Sequence, residues 1–293
     1  MRRLIAVLTI ALLSLTAACS SDQASGDSPT VVASTSVWAA VARQIAGDHA
    51  EVSAIIDNPQ QDPHGYEASA QNKLAFSKAT VTIVNGGGYD DWATTLASKN
   101  STLVDAVAVS GLEGAGQEGF NEHVWYSPAA ARAVATQVSE ALSKADPEHS
   151  SDYQANLATF SSTLDELTTK AKQIGAKNSG VGVVATEPVA AHLFDVVGLT
   201  DLTPEAYIEQ SESDAGPSVA VTNETVTLIG SGTVRALAIN PQTSDPVADK
   251  LIAAAKEASV PTFEVYEVLP DATMSYTDFL SQSLDSLSKA LNQ

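Results

Sequence analysis

The 293-residue chain has one cysteine, Cys19, and two methionines, Met1 and Met274. A lone thiol excludes an intramolecular disulfide framework and any multi-thiolate metal centre. Two isolated methionines exclude a thioether-rich copper site. Positive charge is scarce as well, with fifteen Lys and Arg against thirty-five Asp and Glu and a net charge of −20. Such a chain repels a phosphate backbone, so no nucleic-acid partner is expected. Glycine clusters occur at Gly86-Gly87-Gly88 and Gly230-Ser231-Gly232, but neither has a P-loop lysine or dinucleotide spacing, and both read as turns. No Ser-His-Asp or Cys-His arrangement can be argued from spacing.

The N-terminus shows an export segment. Arg2 and Arg3 form a positive start, Leu4 to Leu15 an apolar core, and Ala17-Ala18 the small residues before Cys19. The core is too short to span a bilayer permanently. Residues 1–18 are therefore read as a signal peptide and Cys19 as the residue lipidated after cleavage, although Thr16 stands where such a lipobox usually has Leu. Residues 19–29, rich in Ser, Asp and Gly, read as a lipid-anchored flexible linker, which places the folded body outside the cytoplasm on the cell membrane.

From Thr30 onward short β-branched runs alternate with amphipathic stretches. Strands are expected at Thr30–Ser34, Glu51–Ile56, Val81–Val84 and Thr102–Val107, with helices around Val37–Ile45, Ala68–Phe76, Asp91–Leu96 and Pro128–Lys144. The pattern resumes with strands at Gly182–Ala185, Arg235–Ile239 and Thr262–Val265 and helices around Val189–Val197, Asn223–Leu228, Pro246–Ala258 and Thr277–Leu291. Strands separated by helices imply parallel βαβ units. The fold class is thus α/β, with two lobes carrying parallel sheets, residues 30–145 and 177–293, joined by a backbone helix over 146–176. In that helix Asp146 is the expected N-cap, Pro147 the first helical residue and Gly175 the terminator. Tyr153, Leu157, Phe160, Leu164, Leu167, Ala171 and Ile174 mark its apolar stripe. About 28 residues at 1.5 Å each give a strut of roughly 42 Å, which would restrict hinge motion.

Five histidines are candidates for chemistry. His49 and His149 read as solvent-facing, and His192 as a structural residue of its helix. His64 and His123 each follow a loop and precede aromatic residues, in Asp62-Pro63-His64-Gly65-Tyr66-Glu67 and Glu122-His123-Val124-Trp125-Tyr126. Glu187 and Glu267 lie just past expected strands, and ligands of open α/β sheets bind beyond the carboxyl ends of strands, where these groups could converge. Trp92 and Trp125 either wall that crevice or pack in the core. Asp90-Asp91 reads as a helix N-cap with an acidic first turn, and Glu209, Glu212 and Asp214 as a solvated acidic loop.

These segments resemble the metal-binding solute-binding proteins of bacterial zinc and manganese ABC transporters. The resemblance rests on both histidine motifs, Asn85-Gly86, the strut, Thr186-Glu187-Pro188 and Val265-Tyr266-Glu267-Val268-Leu269-Pro270, in that order. It implies capture of a divalent transition metal, Mn²⁺ or Zn²⁺, between two rigid lobes and its delivery to a membrane permease by a monomeric, non-enzymatic receptor. The implied ligands are His64, His123, Glu187 and, for the last acidic position, Glu267. Two departures stand out. Many zinc-binding members have histidine where Glu187 stands, and the family's frequent His-rich loop is absent, since Gly111–Gly119 carries no histidine. Two imidazoles and two carboxylates also suit such an ion on chemical grounds, because a divalent cation neutralises the acids and N/O donors fit Mn, Fe or Zn. A surface adhesin with a structural metal and an extracytoplasmic metallohydrolase are the alternatives from other classes. The second is disfavoured because four protein ligands leave little room for an activated water.

Overall fold

The computed structural model describes residues 28–293 apart from 62, 214, 244 and 245. The signal-like segment and Cys19 lie outside the described residues. Among the described residues, eight strands form two parallel sheets. The first holds β1 (Thr30–Thr35), β2 (Glu51–Ile56), β3 (Val81–Val84) and β4 (Thr102–Asp105) in the order β2-β1-β3-β4. The second holds β5 (Gly182–Ala185), β6 (Thr200–Asp201), β7 (Val234–Ile239) and β8 (Thr262–Glu264) in the order β6-β5-β7-β8. The two orders are the same, so the second half repeats the topology of the first. Strands β3 and β5 are buried at every residue, as expected of apolar runs covered by helices on both faces.

The helices are α1 (Ser36–Ala46), α2 (Ala70–Lys78), α3 (Asp91–Leu96), α4 (Ala106–Val109), α5 (Pro128–Ala145), α6 (Ser150–Lys177), α7 (Ala191–Val197), α8 (Glu205–Ser211), α9 (Val219–Ile229), α10 (Pro246–Glu257) and α11 (Tyr276–Leu291). Among the described residues no helix is long and apolar enough to cross a membrane. The strut is α6, whose 28 residues bury Tyr153, Phe160, Leu164, Leu167, Ala171 and Ile174. It packs against α1, α5, α7 and α11. One continuous cluster of buried side chains, from Val31 in β1 to Phe263 in β8, runs through both sheets.

The segment following β8 supplies a second connection between the halves that the sequence pattern does not reveal. Leu269 N–H donates to Ser36 Oγ at 2.9 Å, Tyr266 N–H donates to Tyr126 Oη at 2.8 Å, and Gln44 bonds Thr277 through both ends of its amide. Tyr276 Oη–H donates to the Trp125 carbonyl at 2.7 Å. The lobes are thus tied by this strap as well as by α6.

Several local expectations differ from the structure. Glu209 lies on α8 and not in a loop. β4 ends at Asp105, not at Val107, because the Asp105 side chain accepts the Ala108 N–H and opens α4. Residues Pro147–His149 form a 3₁₀ turn before α6, and the Asp146 carboxylate bonds His149 Nδ1 (2.7 Å) and Tyr153 Oη (2.8 Å) instead of capping a backbone amide. Gly175 lies inside α6 and does not end it. A Cβ there would lie 1.8 Å from the Val197 carbonyl oxygen, so glycine is required by the close approach of α7. Asp90 stands at the N-cap position of α3, but its carboxylate turns back to accept Asn85 N–H and Gly86 N–H at 2.7 and 2.8 Å. That last arrangement explains Gly86-Gly87-Gly88. All three have positive φ, and their turn wraps a protein carboxylate in place of a phosphate.

Candidate metal centre

The candidate residues arrive on segments that leave the carboxyl ends of both sheets. His64 lies on the loop from β2 to α2, and Glu122 and His123 on the segment leading to α5. Glu187 follows β5, Glu212 follows α8, Asn240 follows β7 and Glu267 follows β8. Parallel sheets with all crossovers on their faces leave these ends open, which is why a site forms there.

The His64 loop is held from beneath. Trp92 Nε1–H donates to the Pro63 carbonyl at 3.1 Å, and Tyr66 packs on the Trp92 ring at 4.8 Å. His123 is held more tightly. It is 1% exposed, and its backbone N–H donates to Asn121 Oδ1 at 2.9 Å. An amide nitrogen can only donate, so that bond fixes which end of the Asn121 carboxamide faces His123. The ring Nδ1, 3.0 Å from the same oxygen, must therefore carry the proton, leaving the Nε2 lone pair as the donor atom for a cation. Burial holds the His123 imidazole well below the ordinary histidine range, with His64 and His192 adding to the effect. The ring is neutral at physiological pH, the state a metal ligand needs. Ser127, capping Ala130 N–H at the start of α5, anchors the end of this segment.

Tyr89 joins the two histidines to the acids. Its buried ring meets His64 edge-on at 4.6 Å and His123 at 6.0 Å, and its hydroxyl donates to Glu267 Oε2 at 3.0 Å. Asn240 Nδ2 donates to Glu187 Oε2 at 2.7 Å and to Glu267 Oε1 at 2.9 Å, so one amide orients both carboxylates. Its Oδ1 is taken by Gln242 N–H, which fixes the amide's orientation. Gln242 Oε1 in turn accepts the N–H groups of Glu267 and Val268.

His64 Nε2 lies 3.9 Å from Glu267 Oε2 and 3.9 Å from Glu212 Oε2. His64, Glu187, Glu212 and Glu267 line one cavity of about 370 Å³. Separately, His64, Glu122, His123 and Glu212 each offer a ligating atom within 4.8 Å of the others. Of the four residues singled out from sequence, His64 and His123 fall in that close group, while Glu187 and Glu267 share the cavity with His64 but lie outside the group. The group adds Glu122 and Glu212. Glu212 is not the purely solvated group expected of the acidic loop, because the turn after α8 carries it into the cavity. Its signal in the sequence was a carboxylate between two serines, which does not say that it faces a cavity. Glu122 is adjacent to His123 and was visible, but adjacency in an irregular segment does not say which way a side chain projects.

The remaining histidines lie elsewhere. His49 and His149 stack at 3.9 Å at the opposite ends of the strands, half-buried, beside Asp152 and Asp146. His192 Nε2 is 2.8 Å from the Asn121 carbonyl, so it supports the segment that carries His123. Trp125 is a core residue that also bridges the halves through Nε1–H to the Tyr266 carbonyl at 3.1 Å.

Two βα lobes on a long helix thus bring imidazoles from one and carboxylates from the other to a common cleft. Residues 31–290 match the family described as the periplasmic component A of the zinc-uptake complex, and the chain belongs to that family. It is 32% identical over 192 residues to the manganese ABC transporter substrate-binding lipoprotein PsaA of Streptococcus pneumoniae, a match covering 59% of this chain and 61% of that relative's length. Among solved structures, the periplasmic zinc-binding protein TroA of Treponema pallidum superposes with a TM-score of 0.77 at 17% identity, covering 90% of this chain and 99% of that one. The laminin-binding protein Lmb of Streptococcus agalactiae, described as a bifunctional protein with adhesin and metal-transporting activity, gives 0.75 at 20% identity, covering 90% and 99%. At those identities the two structures show a shared fold.

Proposed function

We propose that this protein is the extracytoplasmic solute-binding component of an ABC importer, capturing a divalent transition metal between its lobes and handing it to a membrane permease. The observation that carries this reading is the convergence of His64 and His123 with Glu267, Glu187 and Glu212 at the carboxyl ends of both sheets. In it His64, His123, Glu187 and Glu267 ligate the ion, residues 30–145 and 177–293 are the lobes, and 146–176 the connecting helix. Residues 1–18 are removed on export, Cys19 carries the lipid, and 19–29 tether a monomeric body to the membrane. The protein acts as a carrier, not an enzyme: metal bound by a full set of protein donors has no open position for an activated water.

Manganese is the favoured cargo on the donor set. Two imidazole nitrogens with several carboxylate oxygens allow more than four donors, which suits the octahedral preference of Mn²⁺ better than tetrahedral Zn²⁺. Zinc will nevertheless bind at least as tightly in equilibrium titrations, because the general affinity order favours it. Growth and metal content of a deletion strain under separate manganese and zinc limitation test the function. Restored growth by manganese supports the reading, restored growth by zinc alone transfers it to zinc, and normal uptake of both metals refutes it.

A further inference from the structure

We infer that Glu212 is a further metal ligand, carried on the loop between α8 and α9, and that it makes the site selective for an ion of high coordination number. The inference rests on the metal-receptor reading above and extends the donor set beyond the four residues given there. Three observations support it. Glu212 Oε2 lies 3.9 Å from His64 Nε2, the same separation as Glu267 Oε2. A ligating atom of Glu212 is within 4.8 Å of ligating atoms of both histidines and of Glu122, a spread that a single ion can draw together. The described residues around it are also tied to one another. Gln210 Oε1 accepts Ser218 N–H at 2.8 Å across the loop base, Ser213 N–H donates to the Gln210 carbonyl, and Gly216, with φ of +63°, turns the chain back to the Ser213 carbonyl. These bonds tie Ser213, Gly216 and Ser218 back to the end of α8 beside Glu212, whose side chain is 31% exposed.

The chemistry gives this position a distinct consequence. His64, His123, Glu187 and Glu267, each binding through one atom, already satisfy tetrahedral Zn²⁺. A fifth donor adds little to zinc but fills a position that Mn²⁺ would otherwise leave to water. Loss of Glu212 should therefore fall mainly on manganese.

The test is competition titration of the mature protein with Mn²⁺ and Zn²⁺, comparing wild type, Glu212→Gln, Glu212→Asp and Glu209→Gln. Glu209 lies on α8, is exposed and does not line the cavity, so its variant reports the loss of one negative charge nearby. The expected result is a tenfold or greater loss of Mn²⁺ affinity in Glu212→Gln, a loss of Zn²⁺ affinity below threefold, a partial Mn²⁺ loss in Glu212→Asp, and no change in Glu209→Gln. Unchanged Mn²⁺ affinity in Glu212→Gln, equal losses for both metals, or an equal loss in Glu209→Gln would overturn the assignment. His123→Ala, titrated beside them, separates this from failure of the underlying reading: if wild type and His123→Ala bind the two metals alike, the metal site itself is wrong.

Discussion

Replacing Asn121 by alanine probes the geometry behind the metal site without touching a proposed ligand. The side chain holds three bonds: from His123 N–H at 2.9 Å, with His123 Nδ1 at 3.0 Å, and from its own Nδ2 to the Pro188 carbonyl at 2.9 Å. Removing it leaves a buried imidazole N–H without an acceptor, at a cost of roughly 1–3 kcal/mol in stability. It also frees the ring to rotate and to exchange tautomers. Loss of such a supporting contact commonly weakens metal binding 10- to 100-fold, or about 1.4–2.7 kcal/mol. Asn121→Asp keeps an acceptor for His123 but sets a carboxylate oxygen against the Pro188 carbonyl, so it should retain most of the affinity while losing some stability. Competition with a chromophoric chelator measures the affinities, and urea unfolding of the metal-free proteins measures the stabilities. An alanine variant that is destabilised yet binds metal as tightly as wild type would refute the argument that Asn121 sets the His123 donor atom.

Other outcomes follow from the same structure. Tyr89→Phe removes the bond to Glu267 Oε2 while keeping the ring against His64, so metal affinity should drop severalfold with little change in melting temperature, as read by calorimetry and thermal unfolding. Gly175→Ala should destabilise the fold by about 1–3 kcal/mol despite alanine's better helix propensity, because its Cβ meets the Val197 backbone at 1.8 Å; urea midpoints check this. Saturating metal at a thousandfold excess over Kd should raise stability by about 4 kcal/mol. X-ray scattering should show little compaction on binding, since both α6 and the strap after β8 tie the lobes. The His149 pair gives a pH dependence. Its bond to Asp146 raises the His149 pKa above 6.5, so its stabilisation is full below that value and is lost as pH rises through the raised pKa. Asp146 has the opposite sign: burial raises its pKa, but the bonds from Tyr153 and His149 outweigh this and leave it below 3.8, so its contribution disappears only in strong acid. His149→Ala should flatten the stability profile above neutral pH.

Much of the architecture was legible because local and global signals agree. The β-branched runs at Glu51–Ile56, Val81–Val84 and Gly182–Ala185 form strands with the expected bounds. The apolar stripe of α6 is the buried one, apart from the partly buried Leu157. What escaped was set by tertiary contact. β6 has two residues, too few for any periodicity, and owes its place to pairing with β5. Gly175 has the chemistry of a helix terminator but answers to α7, far along the chain. Asp90 could cap a helix in sequence terms, and burial among the amides of the Asn85–Gly86 turn decides otherwise. In the site, the loop histidines were visible through their aromatic neighbours and the two acids through their place after strands. Glu212 was hidden because its relevance depends on how the α8–α9 turn folds over a cavity formed by residues more than a hundred positions apart.

Metal analysis of the protein purified from its native host, beside a His64→Ala/His123→Ala double variant expressed in the same strain, tests the central claim most directly. The account predicts one manganese or zinc ion per wild-type molecule and almost none in the double variant, with both proteins folded by circular dichroism. Wild-type protein without bound transition metal, or metal retained equally by the double variant, would contradict it.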